Sequence, residues 1–235
     1  MIGISFNKKE FEYDAYTLVK AFYPKEDIEM YGTWEEEGPK DYEKLVSISY
    51  GDRVVIGVHT REHTLEDSAP YDEKEDRKKR QNTLKQILYK LLVQETGQTL
   101  PWGNLTGIRP VKIAMGLIEE GMTNAQAADF MRKTYFTSNE KTALAIAIAN
   151  RERDILKDID YKRGYSLYVG IPFCPSICLY CSFSSSPLEK WRDRVEDYLT
   201  ALLKELDFIS QAMKDRRLNT IYIGGGTPTT LEPDQ

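Results

Sequence analysis

YVGIPFCPSICLYCSF, residues 168–183, holds all three cysteines of this 235-residue chain. The run that leads to the first cysteine, SLYVGI, is β-branched and aromatic and stops at Pro172, which predicts a strand followed directly by a cysteine loop. Three cysteines cannot all pair within one molecule, and a reducing cytoplasm would not keep them paired. The loop is therefore predicted to supply thiolate ligands rather than a disulfide.

The spacing of the cysteines, Cys174-x3-Cys178-x2-Cys181, suits one metal centre but supplies only three ligands. Because a [4Fe–4S] cube has four irons to coordinate, three thiolates would leave one iron open to a substrate or cofactor. Structural zinc is one alternative, but its fourth ligand would have to come from His59, His63 or a distant carboxylate. Unligated buried thiols are another, although a loop rich in prolines and serines does not resemble a core segment. The spacing favours a three-ligand cluster.

The chain after the cysteine loop predicts a second strand, parallel to the first. A helix is predicted after Pro187, with apolar side chains on one face at steps of three and four: Trp191, Val195, Tyr198, Leu199, Leu202, Leu206, Ile209 and Met213. A polar connection, KDRRLN, then leads to the strand TIYI and the turn GGGTPTT. The order strand, loop, helix, strand predicts a βαβ unit.

The glycine turn, 224–226, would let the backbone approach a ligand at the C-terminal ends of the parallel strands, where such sheets bind their ligands. A P-loop is the competing interpretation, but no lysine follows Gly226. On its own GGGTPT is equally compatible with a simple tight turn. Its place one βα unit after a three-cysteine loop makes a binding role the stronger hypothesis.

Residues 1–160 predict a separate α+β and helical region. IGISF predicts a strand, FEYDAYTLVKAFY a helix, and KLVSISY with RVVIGVH a hairpin. The pattern breaks at 66–70, and a long helix is predicted from Tyr71 to a stop at Gly97. Three further helices are predicted, the first opened by Pro110 and the others by a Thr and a Ser.

Composition and charge limit the classes of partner. Hydrophobic residues make up 41% of the chain and charged residues 29%, as in ordinary soluble globular proteins. A net charge of −5 with mixed signs gives no reason to expect a nucleic-acid partner, and the basic run 77–80 is interpreted as a solvated helix face. Since neither a run of about 18 apolar residues nor a signal-peptide core occurs, no membrane partner is expected and the predicted compartment is the cytoplasm.

The C-x3-C-x2-C loop after one strand and the glycine motif after the next together resemble the radical S-adenosylmethionine enzymes. More narrowly, YVGIPFCPSICLYC with IYIGGGTPT resembles the oxygen-independent coproporphyrinogen III oxidase group. LPWGNLTGIRPVKI resembles its HemZ-type branch, which carries an extra domain before the cysteine loop. The resemblance implies an α/β fold in which 161–235 forms the first βαβ portion of a radical S-adenosylmethionine (β/α) barrel, after an N-terminal domain, 1–160, of unknown role.

Carried over position by position, the resemblance implies a [4Fe–4S] cluster held by Cys174, Cys178 and Cys181. It implies S-adenosylmethionine contacts in the motif opened by Gly224 and from these positions: Tyr168, Tyr180, Gly225, Gly226 and Thr227. Ordinary packing is the alternative for both tyrosines. The implied reaction uses a 5′-deoxyadenosyl radical to remove hydrogen from a propionate of the porphyrinogen substrate. Loss of carbon dioxide and another electron would leave a vinyl group, and the same change at a second propionate would give protoporphyrinogen IX. An electron donor for the cluster is the implied partner.

Two positions depart from the best-known coproporphyrinogen oxidases. This chain has Gly170 where they have a His, and Phe183 where they have a further Cys. The second departure is closer to the HemZ-type proteins and to heme-chaperone relatives. Two alternatives therefore stay open, namely a heme-binding or heme-delivery protein, and an RNA-modifying radical enzyme with 1–160 as its recognition module.

Length is the third departure. A full (β/α)8 barrel takes about 250 residues, whereas 161–235 predicts only two strands. Parallel strands are normally covered on both faces, so two strands alone would expose apolar surface. We expect this chain to be the N-terminal part of a longer enzyme, and to be inert or poorly stable by itself.

Overall fold

The computed structural model describes residues 1–32, 42–107, 109–160 and 163–235. The chain divides into two compact units, Met1–Ile155 and Leu156–Gln235. The predicted boundary between 160 and 161 adjoins residues 161 and 162, which lie outside the described ranges, as does Ile108 of the LPWGNLTGIRPVKI motif. Within those ranges, none of the helices combines the length and the apolar character needed to cross a membrane.

The first unit is built on a five-stranded mixed sheet. Its strands are β1 (Ile2–Phe6), β2 (Ile28–Tyr31), β3 (Lys44–Tyr50), β4 (Arg53–Thr60) and β5 (Thr64–Pro70). They lie in the order β2-β1-β3-β4-β5, with β1 parallel to β2 and β3, and with antiparallel pairing from β3 through β5. The predicted first strand and the hairpin are confirmed.

Two helices, α1 (Glu12–Phe22) and α2 (Arg77–Thr96), pack against this sheet. Both place apolar side chains at helical spacing in one shared core with the sheet. The largest fully buried members of this core are Phe6, Ile2, Ile4, Leu18, Ile48, Ile56, Leu84, Leu88 and Leu92. The predicted end of α2 is confirmed, because Gly97 adopts the left-handed conformation with φ 68° and closes the helix.

The start of α2 was predicted wrongly. The helix begins at Arg77 rather than Tyr71, because the Asp76 carboxylate accepts the backbone N–H of Lys79 at 3.0 Å and caps the first turn. The segment before it was also predicted wrongly, since 66–70 belongs to β5 rather than to a break. Pairing with β4 supplies the backbone hydrogen bonds of β5 despite its polar sequence, so tertiary context outweighs local propensity.

The helical part of the first unit contains α3 (Pro110–Glu119), α4 (Asn124–Tyr135) and α5 (Asn139–Leu156). Pro110 occupies the start of α3, and Thr123 caps α4 through a reciprocal capping box with Gln126, as the sequence predicts. The three helices share a second core composed of Ala114, Leu117, Ile118, Ala127, Met131, Ala145, Ile146 and Ala149.

The loop between α2 and α3 is fixed by two buried interactions. Gly103 adopts φ 58°, and a Cβ at this position would stand 1.8 Å from the Tyr135 carbonyl oxygen. The side chain of Lys85, only 7% exposed, donates to the hydroxyl of Thr106 at 2.9 Å and lies 3.9 Å from Asp14. Burial lowers the pKa of Lys85, and the nearby Asp14 carboxylate opposes that shift.

The second unit is a βαβ arrangement. β6 (Gly164–Ile171) pairs in parallel with β9 (Arg217–Gly225), as predicted, and the intervening chain forms the short strands β7 (Phe173–Cys174) and β8 (Ser186–Pro187) and the helices α6 (Leu188–Trp191) and α7 (Val195–Ala212). A small core of Ile171, Phe173 and Val195 joins β6 to α7. β9 exposes Ile221 and Ile223, each 58% accessible. This exposure matches the expectation for two parallel strands.

The helix after Pro187 was predicted as one continuous element but is interrupted by a 3₁₀ turn at Arg192–Arg194. The turn changes the rotation per residue, so Trp191 falls out of phase with Val195 and is 46% exposed instead of lying on the buried face.

With these sheets and helices, the observed architecture is mixed α/β.

Replacement of Gly103 by Ala should destabilise the protein more than replacement of Gly97 by Ala. Both glycines have positive φ, which costs a non-glycine residue about 1 kcal/mol. Only at Gly103 would the added methyl group also collide with backbone, since nothing lies within 4 Å of a Cβ at Gly97. We expect about 1–3 kcal/mol of additional destabilisation for Gly103→Ala, measured by urea unfolding. Equal losses in the two variants would contradict this account.

Candidate functional site

The cysteine loop leaves the C-terminal end of β6 and is closed at its base by a short strand pair. β7 runs parallel to β8, with Phe173 opposite Ser186 and Cys174 opposite Pro187. The backbone N–H of Ser186 also donates to the Pro172 carbonyl at 2.8 Å. Residues 175–185 thus form a loop whose two ends are held side by side.

The three cysteines are free thiols with unequal burial. Cys174 is buried at 8% exposure, Cys181 is intermediate, and Cys178 is exposed. A turn brings the second and third together, because the N–H of Cys181 donates to the Cys178 carbonyl at 3.0 Å. Across the described ranges, no group of three or more His, Cys, Asp or Glu side chains is placed to hold a metal ion. The donors therefore share one loop without surrounding a common centre.

The glycine turn after β9 is joined to the beginning of the cysteine loop by two backbone hydrogen bonds. The N–H of Gly226 donates to the Ile171 carbonyl at 2.7 Å, and the N–H of Thr227 donates to the Phe173 carbonyl at 2.8 Å. A Cβ at Gly226 would stand 2.7 Å from the Cys174 sulfur. The structure thus brings Gly226 and Thr227 together with Cys174.

Gly225 requires a conformation that side chains disfavour. Its φ is 109°, and a Cβ there would stand 2.6 Å from the Ile171 carbonyl oxygen. Gly224 is buried beneath aromatic rings, with a Cβ position 3.0 Å from the Tyr168 hydroxyl and 2.5 Å from the ring of Tyr222. At each glycine of the turn, a side chain would therefore clash with neighbouring atoms.

Tyr168 stacks on Tyr222, with ring centroids 5.4 Å apart and planes 21° apart. The two residues are register partners on β6 and β9, and they are 61% and 65% exposed. Sequence reasoning missed Tyr222. The available signal was strand alternation, which places Tyr222 on the same face as Gly224, two residues later.

Tyr180 is separate in sequence from Tyr168 and Tyr222 and lies on the exposed part of the cysteine loop. It is 89% exposed, and its neighbours Leu179 and Phe183 are also largely exposed. The structure places Tyr180 between Cys178 and Cys181 but assigns it no role.

Tyr198 is a second residue whose contribution the sequence did not reveal. Its hydroxyl donates to the Gly170 carbonyl, and its ring meets the edge of Phe173 with centroids 5.3 Å apart. Burial raises the pKa of Tyr198, so the phenol stays protonated and able to donate at neutral pH. α7 thereby fixes the strand end from which the cysteine loop departs.

These residues fit an iron–sulfur cluster and a bound cofactor in their chemistry. Thiolates are the ligands that such clusters take, and all three thiols project from one loop. The glycine turn packs directly against Cys174. The fit thus rests on the donor set and on the position of the glycine turn beside that thiol.

No family model and no solved structure matches the chain. Its similarity is to curated protein sequences. The chain is 35% identical over 209 residues to the oxygen-independent coproporphyrinogen-III oxidase-like protein HemZ of Bacillus subtilis. The matched region covers 85% of this chain and 42% of the relative. It is 41% identical over 71 residues to the oxygen-independent coproporphyrinogen III oxidase of Pseudomonas aeruginosa, covering 30% of this chain and 15% of the relative.

The heme chaperone HemW of Escherichia coli is also similar, with 44% identity over 66 residues, or 28% of this chain and 17% of the relative. The chain thus spans less than half the length of each of these relatives.

Replacement of Gly226 by Ala should expose the Cys174 thiol. In the unaltered chain, an aromatic disulfide reagent should modify Cys178 and Cys181 quickly and the buried Cys174 slowly, because access governs thiol reactivity. An added methyl group would clash with the Cys174 sulfur and with the backbone of Pro172 and Phe173, so the slow thiol should become at least severalfold faster. Gly116→Ala, where nothing lies within 4 Å, is the matched control. Three unchanged rates in Gly226→Ala would refute the predicted coupling.

Proposed function

The chain belongs to the HemZ-type family of oxygen-independent coproporphyrinogen III oxidase-like radical S-adenosylmethionine proteins, and we propose on this basis that it serves the oxidative decarboxylation of coproporphyrinogen III to protoporphyrinogen IX. One observation carries the proposal. The loop that holds every thiol of the chain begins against a glycine turn, with Cys174 and Gly226 in direct proximity at neighbouring ends of parallel strands.

In this proposal Cys174, Cys178 and Cys181 hold a [4Fe–4S] cluster. Such a cluster, when bound, supplies the electron that cleaves S-adenosylmethionine. The buried Cys174 is already fixed by the β7–β8 pair, whereas the exposed Cys178 and the partly exposed Cys181 would have to be drawn toward it. Cluster assembly would therefore order the outer part of the loop.

Tyr168 and the glycine turn would hold the cofactor. Gly225 and Gly226 let the turn pack directly against Ile171 and Cys174, so the turn would lie beside a cofactor held at that cysteine. Tyr168, supported by its stacking on Tyr222, offers an aromatic face at the adjacent strand position. Thr227 follows the turn, and its N–H bond to Phe173 fixes its distance from the cysteine loop. Tyr180 would join these contacts through the loop.

The wider proposal concerns partners and architecture. A porphyrinogen substrate and an electron donor for the cluster are required by this chemistry, while membrane and nucleic-acid partners are not. We further propose that β6 and β9 are the first strands of a (β/α) barrel. The exposed apolar side chains of β9, Ile221 and Ile223, support this barrel proposal, because parallel sheets normally have both faces covered.

Cluster binding is tested by anaerobic reconstitution of the chain with iron and sulfide. The unaltered chain should retain about four irons, and Cys178→Ala should lose most of them because one of its three ligands is removed. Ser176→Ala, which alters an exposed neighbour in the same loop, serves as the control. Addition of S-adenosylmethionine should change the electron paramagnetic resonance spectrum of the reduced cluster. Full iron retention by Cys178→Ala would sink the ligand assignment.

A heme-delivery function is the second candidate. It is favoured by the similarity to HemW and by Phe183, which follows the third cysteine at the position where the best-known oxidases carry a further Cys. A protein of this class would bind heme without converting a porphyrinogen.

The two candidates differ in what happens to coproporphyrinogen III. With the reconstituted full-length protein, S-adenosylmethionine and a reductant, the oxidase proposal predicts loss of two carboxyl groups, detected by mass spectrometry after oxidation to the porphyrin. Cys178→Ala should show no conversion. Stoichiometric heme binding with no conversion, in a preparation whose cluster is intact, would instead establish the delivery function.

A further inference from the structure

A cavity of about 800 Å³ lies in the first unit, away from the cysteine loop in sequence. It is bounded by the first turns of α2, by the residues that precede α3, and by α3 and α4. Its volume falls within the range of small-molecule sites, about 300–1,000 Å³. All of its lining residues fall between 76 and 135, so the cavity belongs to Met1–Ile155.

The lining of the cavity is rich in cations. Its lining includes four cations, Lys78, Lys79, Arg109 and Lys112, against two carboxylates, whereas the whole chain carries a net charge of −5. One of those carboxylates, Asp76, caps α2, and the Lys79 ammonium group pairs with Glu75.

The argument therefore depends on Lys78, Arg109 and Lys112. These cations come from α2, from the residue before α3, and from the first turn of α3. Three cations lining one cavity favour an anion, and the planar guanidinium group of Arg109 suits a carboxylate in particular.

The lining also contains apolar side chains. Ile113 and Leu117 contribute from α3, Phe130 from α4, and Met122 from the turn between the two helices. Phe130 is braced by an edge contact with Tyr135, with ring centroids 6.0 Å apart. A ligand that suits this lining carries acidic groups and an apolar body.

The part of the α2–α3 loop from Gly103 to Thr106, which precedes Arg109, is held by buried contacts. The buried Lys85 holds Thr106, and the backbone N–H of Asn104 donates to the Tyr135 carbonyl at 2.9 Å. Gly103 packs directly against that same carbonyl. A fixed rim lowers the entropy lost on binding, which favours a real site over a chance surface depression.

We propose that this cavity binds a tetrapyrrole through its propionate carboxylates, with Lys78, Arg109 and Lys112 as their partners and the α3–α4 wall against the macrocycle. The identity of the ligand rests on the proposed function, which requires a porphyrinogen substrate. The cavity adds a binding site for that substrate class in the first unit, for which the sequence assigned no role.

The test is a fluorescence titration of the full chain with coproporphyrin III, the stable oxidised form of the porphyrinogen. Arg109→Gln/Lys112→Gln should weaken binding about tenfold or more, because each change replaces a charged hydrogen-bond donor to a carboxylate with a neutral one. Arg151→Gln/Arg153→Gln removes two exposed cations of α5 that do not line the cavity and should leave affinity within about twofold. The tetramethyl ester, which has the same ring without carboxylates, should bind weakly to all variants.

Equal affinity for the acid in the cavity variant and in the control variant would overturn the inference, as would equal affinity for acid and ester. If circular dichroism shows that the double variant is unfolded, the affinity of Lys78→Gln and the comparison of acid with ester decide the inference.

Cys178→Ala separates this inference from the proposed function. Porphyrin affinity retained in that variant, together with lost iron, supports a site apart from the cysteine loop. Affinity lost with the iron places the ligand at the loop and overturns the inference, leaving the proposed function intact. Failure of the unaltered chain to bind iron at all would overturn the proposed function without affecting the titration.

Discussion

Two backbone hydrogen bonds, from Gly226 to the Ile171 carbonyl and from Thr227 to the Phe173 carbonyl, determine the geometry of the candidate site. They draw the turn after β9 across the end of β6, so that the turn lies against the cysteine loop. Such close approach leaves no room for a Cβ at Gly225 or Gly226, which explains in steric terms why consecutive glycines stand there. The position of Cys174 beside the turn depends on this pair of bonds.

Much of this site could be predicted from local sequence. SLYVGI, the cysteine spacing and GGGTPT each carry a short-range signal, and their order along the chain was enough to predict a parallel βαβ unit. The hydrogen bond from Tyr198 to Gly170 could not be predicted, because it depends on how α7 sits against β6. Strand alternation alone could have indicated Tyr222, but its stacking on Tyr168 also needs the register between two distant strands.

The first unit shows the same division between local and long-range information. Gly97, Pro110 and Thr123 end or begin helices through their own backbone or side-chain chemistry, so their positions were predictable. β5 exists because β4 offers it a partner, and its polar sequence gives little sign of that pairing. The charge of the cavity was hidden as well, since Lys78 and Arg109 are far apart in sequence and the chain as a whole is acidic.

The two units differ greatly in how much apolar surface they bury. Among the described residues, the core beneath the five-stranded sheet contains nineteen buried side chains, whereas the core between β6 and α7 contains three. A segment with so small a core opens at low free-energy cost, because local stability follows buried apolar contacts. Any group bound only by the closed form would then stabilise it by mass action. Occupancy of the cysteine loop would therefore raise the resistance of Leu156–Gln235 to proteases and to hydrogen exchange, and would change that of Met1–Ile155 much less.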